Sequence, residues 1–328
     1  MRKLASIRAI SEVRYHPNAD KLAIYKVDGW NVIDGIARYQ KGAFVIYCEI
    51  DSFLPIKPEF EFLRKSSFKK MGIYEGFRLK TIRLRGILSQ GLLISTDVLP
   101  VNLEYKIGDD VTEVLEIIKY EMPLPTNLNG EVAGDFSSVV IKTDEERLQN
   151  LNYSELVNQK YTVTEKLDGS SCTFYYHNEH FGVCSRNLEL ADSENNSLWQ
   201  IARKYGLESK LSDYGDSIAI QGEIIGLGIQ KNIYKLNEVN FKVFKVFDIK
   251  EGEYYSIDEM IEPSKKLGLA TVPVLDRDFS LPNTVDDLLI YADSKSELSE
   301  ATREGLVLYS NKAQNVHFKI ISNKFLEK

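Results

Sequence analysis

Glu165-Lys166-Leu167-Asp168-Gly169-Ser170-Ser171 decides how this chain is read. Tyr161 to Lys166 has the composition of a strand, and so does Ser171 to Tyr176. Between them Asp168-Gly169 is turn chemistry, because both residues tolerate the backbone angles of a tight reversal. The spacing predicts two strands joined by a short turn with Lys166 at its shoulder. Many hairpins carry such a lysine with no further role. The same placement also holds a nucleophilic amine still in front of a pocket, and for that role the amine must be neutral. With an unperturbed pKa of about 10.4, only about one lysine in a few thousand is neutral at pH 7. A nearby cation or burial therefore has to lower it. Attack on a nucleotide α-phosphate also requires carboxylates to hold a metal and separate cations to hold phosphates. A motif this short does not choose between the two readings.

Farther along the chain, Ile218 to Ile225 and Phe241 to Ile249 read as strands. Glu223 lies inside the first, and a carboxylate in an apolar strand is costly to bury without a partner. Ser197 to Tyr205 and Asp286 to Ala292 read as helices. His177 and His180 flank a polar turn and have no cysteine or histidine at zinc-site spacing, so a hairpin is expected there.

The Lys166 segment resembles motif I of the covalent nucleotidyltransferases, which comprise ATP-dependent DNA ligases, RNA ligases and mRNA capping enzymes. Further segments resemble the later motifs in family order. They are Ser185-Arg186-Asn187, Gln221-Gly222-Glu223-Ile224, Val246-Phe247-Asp248-Ile249, Arg303-Glu304-Gly305-Leu306-Val307, and Phe318 to Phe325. The resemblance covers residues 140 to 328 and implies a role for each. Lys166 takes the AMP group, within a turn shaped by Asp168 and Gly169. Arg186 contacts the nucleotide sugar or phosphate, and Glu223 binds ribose and metal. Phe247 stacks on the purine, while Glu165 and the backbone beside Phe247 read adenine. Glu304 binds metal and Lys319 contacts phosphate. Glu223 and Glu304, with Asp248 as a third candidate, make an oxygen-rich set suited to Mg2+ or Mn2+. Many relatives have a second lysine two positions after Lys319. Here that position is Ile321, and Lys324 is the candidate substitute.

The first 120 residues read differently. Ala23 to Asp28, Ala43 to Cys48 and Gly91 to Ser95 are short strand-like runs with no long helical period, the pattern of a small β-barrel. Phe77 to Leu84 alternates apolar and basic residues with a slip at Thr81-Ile82, which predicts one bulged strand. His16 to Leu22 resembles a loop-and-strand signature of tRNA-binding OB domains. Between Arg64 and Arg85 lie eight cations, Arg64, Lys65, Lys69, Lys70, Arg78, Lys80, Arg83 and Arg85, against a single acid, Glu75. Phe68, Tyr74 and Phe77 are interleaved with them, the composition of a surface that tracks a nucleic-acid backbone and stacks bases. Met122-Pro123-Leu124-Pro125-Thr126-Asn127 is the expected linker. The expected fold is thus α+β: an OB-like β-barrel over residues 1–122, then an adenylyltransferase domain over 123–328 with antiparallel sheets and flanking helices.

DNA ligases and capping enzymes typically carry an OB domain after the last lysine motif, whereas here the OB-like part comes first. That order resembles a group of RNA ligases that seal 3′-hydroxyl and 5′-phosphate ends. Arg83 to Gly91 and Lys142 to Asn150 resemble segments of the same group, and the second would bring Arg147 to the phosphates of ATP. The expected partner is RNA with such ends in a nicked duplex, in a repair role, and the expected state is a monomer. A DNA ligase and a non-catalytic RNA-binding protein on the same fold are the alternatives. The 328 residues are 43% hydrophobic and 27% charged, ordinary for a globular protein. The net charge of −7 leaves the basic stretch as a local exception. No apolar run reaches the length of a membrane span, and the first residues lack the apolar stretch of a signal peptide. Three scattered cysteines argue against a disulfide framework, so an intracellular setting and no membrane partner are expected.

Overall fold

Short antiparallel strands make up most of the regular structure of the first 120 residues. Ala5–Ala9, Phe44–Cys48 and Leu92–Ile94 form one antiparallel sheet. Glu12–Tyr15, Leu22–Val27 and Trp30–Gly35 form a second. Ile118–Lys119, Ser52–Pro55, Tyr74–Arg78 and Phe68–Met71 form a third, and Thr81–Leu84 pairs with Ile87–Gln90. Ile7, Ile46, Leu54, Phe60, Phe77 and Val111 fill the core between them. The structure is a computed structural model describing residues 2–121, 128, 130–215, 217–313 and 316–327. The expected linker, Met122 to Asn127, lies outside the described residues.

Packing divides the chain into two units. The first holds residues up to 123 together with Leu148–Tyr153 and Glu327, so it is not one continuous segment. Leu148–Tyr153 is strapped in by Trp30, which is fully buried and donates from Nε1 to Asn150 Oδ1 at 2.6 Å. The Gly29 amide adds a bond to the Gln149 carbonyl at 2.9 Å.

The run Phe77 to Leu84 is two strands in two sheets, not one with a bulge. Leu79 turns into the core at 5% exposure, and its amide and carbonyl bond Ser52 and Asp51 at 2.9 and 3.0 Å. The strand direction changes there, so Lys80 lies between strands and shares no strand face with Arg78.

The His16–Leu22 segment works as a clamp. His16 is 5% exposed, and its Nδ1 accepts from the Asn18 amide at 3.0 Å. The ring proton therefore sits on Nε2, which donates to the Leu84 carbonyl at 3.0 Å. Asn18 Nδ2 donates to the Arg85 carbonyl, also at 3.0 Å. Both hold the turn Arg85-Gly86, whose φ values of 47° and 91° suit a two-residue hairpin reversal.

In the second unit an eight-stranded sheet runs in the order Val132–Asp135, Leu188–Leu190, His180–Cys184, Ser170–His177, Ile218–Gly226, Val239–Asp248, Glu253–Tyr254. Its neighbours in that order are antiparallel, and Ala270–Thr271 adds a parallel pair to Val239–Asp248. His177 and His180 face each other across a hairpin turn. A four-stranded antiparallel sheet follows, Val274–Ser280, Lys160–Lys166, Gly305–Ser310, His317–Ile321. Helices Ser197–Tyr205 and Leu207–Tyr214 bury Leu198, Ile201, Leu207 and Leu211 against Phe174, Ile220 and Phe241 of the large sheet. The first is capped by Asn196 Oδ1, which accepts from the Leu198 and Trp199 amides, and it stops at Gly206 in the left-handed region.

Replacing His16 by alanine should cost about 1–2 kcal/mol in urea unfolding, the price of two lost buried hydrogen bonds. Amide exchange at Arg85, Gly86 and Ile87 should quicken in the same variant. Unaltered exchange there would mean that the turn is held by its own geometry.

Candidate active site

Lys166 ends a strand of the four-stranded sheet, and Ser170 begins a strand of the eight-stranded one. Residues 167–169 make the crossing, so Lys166 sits where the two sheets meet. Gly169 packs hard on the Glu223 strand. A Cβ there would lie 2.2 Å from the Ile224 carbonyl and 2.9 Å from Glu223 Cγ, so no other residue fits. The Asp168 amide donates to the Tyr234 hydroxyl at 2.6 Å, and Gln230 Nε2 donates to the Gly169 carbonyl at 3.1 Å.

Lys166 Nζ bonds both oxygens of Glu304 at 2.7 Å. Glu304 stands just before Gly305, which lies opposite Lys166 in the sheet register. Burial opposes the charge on Lys166, but Glu304, Glu223 and Asp168 outweigh it and raise the pKa. The nucleophile candidate is therefore a firmly held ammonium, the reverse of what attack needs. The carboxylates bear the complementary strain. Burial pushes Glu223 up to about 8, against the pull of Lys166 and with repulsion from Glu304 and Asp168. Burial and Glu304 push Asp168 up to about 6.

A second cluster surrounds Lys319. Its Nζ bonds Asp144 Oδ1 at 2.8 Å, and Asp144 Oδ2 lies 3.4 Å from Arg186 Nη2. Residues 144–147 run beside the strand His317–Ile321, where the Lys319 amide donates to the Glu146 carbonyl at 2.8 Å and Arg147 bridges to Lys319. Glu145 anchors this segment through Lys245 Nζ at 2.7 Å and through His317. Burial works against its charge, but His317 and Lys245 prevail and hold its pKa at about 2. Sequence reading missed Asp144, Glu145, Lys245 and His317. The visible signal was Lys245, a cation in a largely apolar strand, although Lys242 in the same strand gives the same signal.

Several expected site residues stand elsewhere. Asp248 does not join the carboxylates. It lies opposite Ile218, five register positions from Glu223 and roughly 17 Å along the strand. Its Oδ1 instead accepts from the Lys250 and Glu251 amides. Phe247 is 2% exposed, packs with Tyr175 and Ala219, and has Tyr254 against it at 4.9 Å between centroids. The half-buried ring near Lys166 is Phe244, which packs with Leu167, Ile225, Tyr234 and Leu298. The register between the two strands shifts at Gln221/Gly222, which face Lys245 and Val243 and leave Phe244 unpaired between them. Ile321 is 5% exposed, and Lys324 lies on the short helix Asn323–Leu326 with its side chain outward. Neither takes a place beside Lys319. Glu165 is 1% exposed; its Oε2 accepts from the Glu297 amide at 2.8 Å, and its buried Oε1 has no partner among the described residues.

The basic stretch of the first unit divides in two. Arg64, Lys70, Arg78 and Arg83 pair with Glu61, Glu75, Asp51 and Glu327. Lys65, Lys69, Lys80 and Arg85 are exposed and make no ion pair among the described residues.

Comparison with known proteins agrees with this two-unit architecture. An RNA ligase family model matches residues 159–321, and an OB-fold domain model matches residues 4–96. Among solved structures, Naegleria gruberi RNA ligase with PPi is 39% identical with a TM-score of 0.93, covering 99% of this chain and 98% of that one. A lysine-to-alanine mutant of the same ligase with ATP and Mn is 38% identical with a TM-score of 0.92, covering 99% and 98%. An apo mutant gives 39%, 0.93, 99% and 97%. The comparison with curated protein sequences returned no match. The chain belongs to the RNA ligase family and is an RNA ligase enzyme, with an N-terminal OB-fold domain ahead of the ligase domain. No helix among the described residues is long and apolar enough to cross a membrane.

Glu223 keeps its proton in the folded chain up to about pH 8, whereas an unfolded glutamate loses it near 4.5. Between those values the folded state binds more protons, so stability falls as pH rises. The melting temperature without divalent ions should drop from about pH 5 to 8, and Glu223→Gln should flatten that slope. An equal slope in the variant would assign the titration to other groups.

Proposed function

We propose that this chain joins RNA 3′-hydroxyl and 5′-phosphate ends in three steps that start from ATP. Lys166 Nζ attacks the α-phosphorus, the bond to the β-phosphate oxygen breaks, and pyrophosphate leaves behind a lysyl-AMP. The AMP then passes to the 5′-phosphate of an RNA strand. The adjacent 3′-hydroxyl attacks that phosphate, forming the phosphodiester and releasing AMP. The observation that carries this reading is Lys166 held bidentately by Glu304 beside Glu223, on a turn that admits only glycine at 169. RNA ligases with ATP and Mn among the similar structures support the cofactor assignment, ATP with Mg2+ or Mn2+.

The donor set fits a hard divalent ion. No group of three carboxylate, histidine or cysteine side chains stands ready as a metal site among the described residues. Yet two carboxyls raised to about 8 and about 6 crowd one lysine, a surplus of negative oxygen that a cation would relieve. Glu223 and Glu304 would hold the ion. Bound there, it supplies positive charge that weakens the grip of the carboxylates on the lysine proton and offsets charge on the phosphate oxygens. Lys319 and Arg186 hold phosphate, and Arg147 on the adjoining segment completes that group.

For the base, Phe244 replaces Phe247 as the stacking ring, since it is the half-buried aromatic beside Leu167 and Tyr234. Glu165 Oε1, buried and without a partner, suits the exocyclic amine of adenine, where guanine would present an oxygen. The RNA backbone lies on the exposed cations Lys65, Lys69, Lys80 and Arg85 of the first unit.

Incubation with α-labelled ATP and a divalent ion tests the chemistry. Wild type should carry label through denaturation, and Lys166→Ala should carry none; equal labelling would remove Lys166 as nucleophile. In the same assay Phe244→Ala should raise the apparent KM for ATP about tenfold or more while Phe244→Tyr stays near wild type. Matching KM values for the two would return Phe244 to a packing role. For the RNA surface, replacing Lys69, Lys80 and Arg85 by glutamine should lower the salt slope of nicked-RNA binding by about two to three. An unchanged slope would put the RNA on another face.

A further inference from the structure

Asp144 is an acid among cations. One of its oxygens lies 2.8 Å from Lys319 Nζ and the other 3.4 Å from Arg186 Nη2. A single carboxylate thus spans two cations, one on a strand of the small sheet and one in the connection between Cys184 and Leu188 of the large sheet. A phosphate group would present the same pair of oxygens, with more charge. We propose that Asp144 is an internal stand-in for phosphate, occupying the polyphosphate subsite until the nucleotide displaces it and returning when pyrophosphate leaves. This rests on the reading of Arg186 and Lys319 given above.

The local build suits such an exchange. Asp144 is flanked by Glu145, which is tied to Lys245 and His317. It is joined to the strand of Lys319 through the bond between the Lys319 amide and the Glu146 carbonyl. The backbone therefore stays within reach while the side chain, 32% exposed, borders solvent. Lys319 needs an anion, because its side chain is only 10% exposed and a buried ammonium without a counter-charge is costly. The monoanionic carboxylate satisfies that need in the empty site and yields to a ligand with more charge and more oxygens. The consequence is selective. Every anion that enters competes with Asp144, so weakly charged ones gain little, and pyrophosphate is helped out after nucleotidyl transfer.

Calorimetric titration of pyrophosphate into the full chain tests this. Asp144→Asn keeps the shape and removes the charge, so it should bind pyrophosphate about tenfold more tightly than wild type, with slower release. Asp144→Ala should do the same. Equal or weaker binding by the folded variants would overturn the proposal and make Asp144 a positioning residue for Lys319. Failure of both variants to fold would overturn it as well, since a displaceable group cannot be indispensable to the fold. Labelling by ATP, run on the same wild-type sample, separates this idea from the reading beneath it. Wild type that neither labels nor binds pyrophosphate refutes both. Wild type that does both, with variants no tighter, refutes the stand-in alone.

Discussion

Two sheets end in acids that face a single ammonium, and most of the second unit is arranged to tolerate that imbalance. Glu304 arrives on the small sheet, Glu223 on the large one, and Asp168 on the turn between them. Lys166 is bonded to Glu304 and pulls on the other two, with Arg186 adding to the pull on Glu223 and Lys231 to that on Asp168. Placing the groups this close requires a backbone approach that excludes any side chain at 169, and it requires Tyr234 and Gln230 to pin the turn from outside. The protonation imbalance is thus a property of the fold before any ligand arrives. It also keeps the amine charged: its proton is held by the carboxylates that a divalent ion would claim.

The same logic recurs around Lys319, with a different solution. There the acid lies among cations: Asp144 spans Lys319 and Arg186, and the neighbouring Glu145 is held by Lys245 and His317. One cluster gathers carboxylates around a lysine, and the other gathers cations around a carboxylate. The first suits a cation and the second an anion.

Much of this was legible in the sequence, for physical reasons. The helix Ser197–Tyr205 and the strands carrying Lys166, Glu223 and Phe247 follow from apolar periodicity, and the lysine–aspartate–glycine turn follows from backbone demands that few residues meet. What escaped was whatever depends on register. The register shift at Gln221/Gly222 leaves Phe244 unpaired, Phe247 packs against Tyr254, and nothing in the residue order announces it. Asp248 was drawn toward metal by its company in a motif, yet its Oδ1 serves two amides of its own turn. The break at Leu79 was hidden for a similar reason, since the residue looks like any other in an alternating run until its bonds to Asp51 and Ser52 are known. Asp144 could not be singled out among its acidic neighbours because only the fold brings two cations to it.

The strap of residues 148–153 gives the molecule an optical handle. The chain has two tryptophans, one in each unit. Trp30 is sealed from solvent with its indole N–H on Asn150, so release of the strap should redden its emission and open it to quenchers. Trp199, half-buried on a helix of the ligase domain with Phe181 and Arg203 against it, reports on a different structure. Replacing either by phenylalanine would leave a single fluorophore, and the melting of each unit could then be followed by its own colour in the intact chain.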